Sequence, residues 1–191
     1  MALFDQRFGI KEVADVVFYN TGDVKYDSQN GKVVSANGGT VTPVLEFTTL
    51  KTSGLEFTGE TTEARGGKGN AVLMSWDHSR EATLTLEDAL LSAKSLATML
   101  SNQPATEVGE NTVISINANG FPGTYTVVGK TYARGTDGKD HLLTFLIFKA
   151  KVSAEANIEM SADGDPSTLN MTLKVLRCTS DANDAKMGAT D

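Results

Sequence analysis

The sequence predicts a mainly β protein: an antiparallel β-sandwich or half-barrel with one flanking α-helix. Three observations lead there. Short runs rich in Val, Ile, Thr and aromatic residues recur along the chain, separated by turns containing Gly, Asn and Asp. Only one stretch, 86–100, has a helical apolar face, with Leu86, Ala89, Leu90, Ala93, Leu96, Ala97 and Leu100 at three- and four-residue spacings. The run 142–160, LLTFLIFKAKVSAEANIEM, starts apolar on both faces of an extended chain and then alternates strictly. With 191 residues, 40% of them hydrophobic, the chain is long enough for one domain with its own core.

Residues 1–11 are mixed and non-periodic and read as an N-terminal arm. A single β domain follows over 12–177, and 178–191, small and polar, reads as a flexible C-terminal tail. Within the domain, 12–19 (EVADVVFY) is a strand by its Val and aromatic content. The turn clusters NTGD and SANGG surround a weak strand at 32–35, which predicts a hairpin. Residues 41–57 carry two strand-like pieces broken at Ser53 and Gly54. Residues 59–70, GETTEARGGKGN, read as a long loop. Residues 71–76 and 80–86 read as a hairpin turning through Asp77, His78 and Ser79. The helix spans 87–100, or begins at Ser92 if that residue is its N-cap, in which case 87–91 finishes the preceding strand. Beyond Pro104, strands are expected at 112–118, 124–133 and 142–160, joined by hairpin-like NGFPG and RGTDGKD. A last strand at 169–177 turns Leu169, Met171, Leu173 and Val175 inward.

Composition excludes several function classes. A net charge of −7 and a pI near 4.9 oppose tight wrapping of nucleic acid, which needs clustered Lys and Arg. The single cysteine, Cys178, rules out an intramolecular disulfide framework and a cysteine-based metal site. The first residues have no apolar segment behind a basic start, and no run reaches the ~20 apolar residues of a membrane helix. A soluble protein made in the cytoplasm, without membrane contact, is the expectation.

Candidate chemistry is thin. Gly66 to Gly69, GGKG, fails as a phosphate loop, because Gly69 stands where a Mg²⁺-holding Ser or Thr is required. Asp163 and Asp165 flank Gly164 without the rest of a calcium loop, so they read as a tight turn. His78 and His141 lack zinc-like spacing and read as surface residues in turns. No G-x-S-x-G elbow is present. Trp76 reads either as an interface anchor or as core. Glu155 and Glu159, four apart on one strand face, read as a solvated face or as a wall that keeps anions away. Neither a catalytic residue nor a cofactor or metal site is expected, and the chain is not expected to be an enzyme.

Two segments, TEARGGKGNAVLMSWDHSREATLTLEDALLSAKSLATML (62–100) and MSADGDPSTLNMTLKVLR (160–177), resemble blocks of the tail tube, or major tail, proteins of tailed bacteriophages. They cover about a third of the chain. The resemblance implies a β-sandwich that closes into hexameric rings, stacked into a tube through which genomic DNA passes without specific binding. It implies a virion tail component assembled in the host cytoplasm, with itself and other tail proteins (tape measure, baseplate, terminator, possibly sheath) as partners. Carried over by position, Arg65, Gly66, Gly67, Lys68, Gly69 and Asn70 are expected as an inter-ring contact loop, and 89–100 as the outer helix. The acidity suggests Glu155 and Glu159 as lumen-facing residues. The alternatives are another ring-forming virion part (terminator, baseplate or head decoration) and a β-sandwich carbohydrate-binding or hydrolytic module.

Overall fold

The computed structural model describes residues 7–10, 12, 15–27, 32–36, 38–90, 92–100, 105–116, 120–153 and 168–177. The strands in chain order are β1 (Phe8–Ile10), β2 (Asp15–Asn20), β3 (Val24–Asp27), β4 (Lys32–Ser35), β5 (Leu45–Phe47), β6 (Leu50–Gly66) and β7 (Ala71–Asp88). After helix α1 (Ala93–Leu100) come β8 (Thr106–Val108), β9 (Asn111–Val113), β10 (Thr124–Gly135), β11 (Asp140–Val152) and β12 (Leu169–Val175). The fold is mainly β and antiparallel, with one short helix, as expected.

One sheet carries the architecture, in the order β5-β2-β10-β11-β12-β7-β6, with β1 paired to the end of β10. Two small hairpins, β3-β4 and β8-β9, stand beside it. The sheet curls without closing into a barrel. Phe18 of β2 and Leu45 and Phe47 of β5 join the same buried cluster as Leu84 and Leu86 of β7, although these strands lie toward opposite ends of the order. Met99 of α1 completes that cluster, so the helix covers the open side of the curl. Each fully buried Leu or Val here contributes about 1.5–3 kcal/mol through loss of apolar surface to water. The Phe18 ring meets Phe47 edge-on at 5.5 Å and stacks on Tyr125 at 5.7 Å, which ties β2 to the strands paired on either side of it, β5 and β10.

The strand covered on both faces is β10. Its residues Tyr125–Gly129 are all buried, with Tyr125 and Val127 on the core face and Val128 on the reverse face opposite Leu146. In LLTFLIF only Leu146 and Ile147 are buried, while Leu142 is 57% exposed. That corrects the expectation of double cover along the whole run. Single apolar side chains at a surface are ordinary, so an apolar run in a sequence does not by itself imply cover on both faces. Gly129 is dictated by packing: a Cβ built there would lie 2.0 Å from the Phe145 ring.

Other boundaries move for local reasons. β6 runs unbroken through Ser53 and Gly54 because each pairs with β7, to Leu86 and Thr85. The helix begins after Ser92, whose Oγ accepts from the Ser95 amide at 3.0 Å, and β7 runs to Asp88. β12 alternates as expected, with Leu169, Met171, Leu173 and Val175 inward. The β3-β4 and β10-β11 hairpins are present, the latter closed by Gly135 accepting from Gly138. The NGFPG segment does not join a hairpin, because β9 pairs with β8 and β10 pairs with β11, β2 and β1. Within the expected arm, Phe8–Ile10 pairs with Ala133–Gly135. Among the described residues no buried polar side-chain atom lacks a partner. Thr131 donates to the Glu12 carbonyl at 2.6 Å and Thr126 to that of Phe148 at 2.8 Å.

Candidate functional site

Two adjoining features leave the packed body: a long hairpin and an apolar groove at its base. The hairpin is β6 and β7, 17 and 18 residues long. In its lower half β7 supplies Ala82, Leu84 and Leu86 to the core and pairs with β12, Leu84 to Leu173, whereas of β6 only Leu50 packs against the core and Phe57 is exposed. Its upper half, from Glu60 to His78, pairs only within itself in the sheet. Thr61, Thr62 and Val72 suit extended backbone, and cross-strand polar pairs hold the ladder where no core can. Thr61 donates to Asp77 at 2.7 Å, and Thr62 Oγ1 lies 2.7 Å from Nε2 of His78.

Two sequence expectations are corrected here. The 59–70 loop is strand as far as Gly66, and the reversal occupies only 67–70. Asp77, His78 and Ser79 do not turn the chain. β7 passes straight through them, with Ser79 at a φ of 54° opposite the register shift between Thr58 and Glu60. This is a bulge, which bends and twists a ladder without ending it. The reversal falls at 67–70 because Gly67 and Gly69 take φ values of 78° and 87°, open to glycine without steric cost, and Asn70 donates to the Gly67 carbonyl at 3.2 Å.

The residues expected as a contact loop therefore sit at the far end of the hairpin. Arg65 and Gly66 close β6, and Gly67, Lys68, Gly69 and Asn70 form the turn. Arg65 pairs with Glu63 at 2.6 Å. Just below, Trp76 stands opposite Thr62 and Met74 opposite Ala64; two residues apart on β7, they share one face. Trp76 is 49% exposed, Met74 56% and Leu73 68%, so the tryptophan lies outside the core. Contiguous bare apolar side chains of this size on a projecting element mark an interaction surface.

The histidines stand in strands, not in turns. His78 in β7 has Ser79 Oγ at 2.9 Å and Glu60 at 3.6 Å on Nδ1, and His141 in β11 lies 3.1 Å from Asp137. Among the described residues no cluster of three or more His, Cys, Asp or Glu is placed to hold a metal ion. Shifted titrations lie away from the hairpin. Burial raises Tyr125, and burial followed by the Glu46 charge raises Tyr19. The hydrogen bond that exposed Arg134 donates to Asp140, together with the carboxylate's charge, raises the guanidinium further. Glu155 and Glu159, like Asp163 and Asp165, lie outside the described residues.

The sequence does not foretell the groove. β11 pairs with β12 only over Ala150–Val152, so its earlier part diverges from β12 and β7 and leaves a wedge. Ile10, Leu55, Leu84, Leu143 and Phe145 line it, around a cavity of about 540 Å³. The only signal for it in the sequence is the apolar residue at each second position on both walls, which reads equally well as ordinary core.

The sequence profile of the YomU/Tube protein family matches residues 8–111 and 105–189. The curated proteins give no match. No helix among the described residues is long and apolar enough to cross a membrane.

Proposed function

The chain belongs to the YomU/Tube protein family, phage tube-like structural proteins found as virion components, and we propose that it is the repeating subunit of a phage tail tube. In this reading copies close into rings, hexameric by the resemblance noted above, and the rings stack into a channel that delivers the genome to the host. The observation that carries it is the hairpin Leu50–Asp88, whose upper half buries nothing in its own chain yet presents Trp76, Met74 and Leu73. A stretch that orders without a core of its own is useful when another copy supplies the cover. The outer edge of β6 is also unpaired among the described residues, and pairing between subunits removes such an edge. With contact surfaces on different parts of the molecule, the interface is heterologous and propagates into rings or open tubes. A net charge of −7 fits a conduit that a polyanion crosses without sticking.

Arg65 to Asn70, at the tip, are the residues of this reading that bridge stacked rings. Besides further copies, the partners are the other tail proteins at its two ends and the DNA in transit. Negative-stain electron microscopy of the concentrated protein tests the proposal. Tubes with a regular axial repeat and a central channel are expected. Closed single rings that do not stack would replace it with a terminator or baseplate role.

A further inference from the structure

The groove and the hairpin face have the same chemistry and belong to the same element, yet they cannot meet within one chain. Leu55, in the groove wall, and Ala64, beside Met74, lie on one extended strand. At ~3.3 Å per residue they are about 30 Å apart, so Met74 and Trp76 cannot reach their own groove. A second copy has no such limit. We propose that the wedge between β11 and β6-β7 of one copy seats the hairpin of another, with Trp76 and Met74 inserted against Ile10, Leu55, Leu143 and Phe145. This rests on the subunit reading above and names the surface that receives the hairpin.

Four features favour a second copy as the occupant. Seating covers apolar side chains on both partners: Ile10 is 65% exposed and Leu55 41%, and the hairpin face is similarly bare. Trp and Met are suited to such a seat, since a large aromatic anchor fills a pocket and an unbranched thioether adapts to its irregular remainder. At the tip alone charge is also complementary: residues 64–70 carry Lys68, and Arg65 paired to Glu63, with no acid, so this stretch is opposite in sign to the receiving chain's net charge of −7 even though whole copies repel. The geometry also repeats: the groove wall is the base of the hairpin that reaches onward, so each seated tip lies against the root of the next.

Two single-cysteine chains, Met74→Cys and Thr52→Cys, each also carrying Cys178→Ser, are mixed, assembled and oxidised. Both positions are exposed, so folding is not at risk. A disulfide between the two introduced thiols, one from each chain, is expected in assembled material and absent from dilute monomer. Trp76, the only tryptophan, reports independently: its emission shifts to the blue on assembly and stays unshifted in Leu55→Lys. Tubes that form without this cross-link and without the shift overturn the seating while the tube subunit stands. Single rings that show both support the seating and remove the tube. Material that neither assembles nor cross-links overturns both. A cross-link from Thr52→Cys to Phe4→Cys of the same chain assigns the groove to the chain's own N-terminus and overturns the seating.

Discussion

Among the described glycines, Gly129 is the one whose Cβ position is taken, by the Phe145 ring. The ring lies where a Cβ would stand, so Gly129→Ala must displace it toward the groove it helps to line. We expect a loss of about 1–3 kcal/mol, the usual cost of overpacking, measured as a lower urea midpoint at unchanged slope. Adding Phe145→Leu should restore part of it, a non-additivity that shows the ring to be the cause. Buried Tyr125 and half-buried Tyr19 give a second prediction. Tyr19 and Tyr125 are raised above the ordinary tyrosine value of 10.0, so the folded state holds these protons more tightly than the unfolded chain. Their contribution is complete below the unfolded value and is lost as pH rises through their folded values. Denaturation midpoints should therefore be flat from about pH 8 to 9.5 and fall above about 10, and Tyr125→Phe should shallow that fall.

The hairpin is where element and sequence diverge most. Local composition marks 59–70 as loop and 77–79 as a turn, and both readings follow sound rules: glycines, mixed charge, and an Asp-His-Ser triplet. They fail because the ladder is set by pairing. Once Gly67 and Gly69 fix the reversal, the strand from Gly66 back to Leu50 has a partner along its length, and irregularities become bulges. β12 and the core half of β7 are legible because one face is buried and period two survives in the sequence. The wedge beside β11 is not legible, since divergence of two strands leaves no local signature. Resemblance marks Arg65 to Asn70 as a contact loop, and the structure places these six residues at the end of a long hairpin. Since the upper half pairs only within itself, replacing 59–80 by Asn-Gly between Thr58 and Glu81 should leave the thermal midpoint within a few degrees. The same variant should form no tubes by electron microscopy. A large loss of stability instead would mean that the hairpin supports the body.

The molecule as a whole couples a curled, well-satisfied sheet to a hairpin and a groove that leave apolar side chains bare. Its net charge of −7 makes copies repel, while the contacts proposed to draw them together are mainly apolar. Salt should therefore favour assembly, by screening repulsion over a Debye length that shortens from ~10 Å at 0.1 M to ~3 Å at 1 M. The critical concentration for tubes, measured by sedimentation, should fall as NaCl is raised from about 50 to about 500 mM. A rise would point to ion pairs such as those of Arg65 as the dominant contacts.

The tip has one more consequence. Arg65 and Lys68 flank glycines at the most outlying point of the hairpin, where a protease finds accessible backbone and no tertiary structure to unfold first. On the seating proposed above, a free subunit offers this backbone to a protease and a seated one hides it. Trypsin should nick free subunits there first and spare the tube. If trypsin does so, the hairpin proposed to join copies would also set a lifetime for those left over.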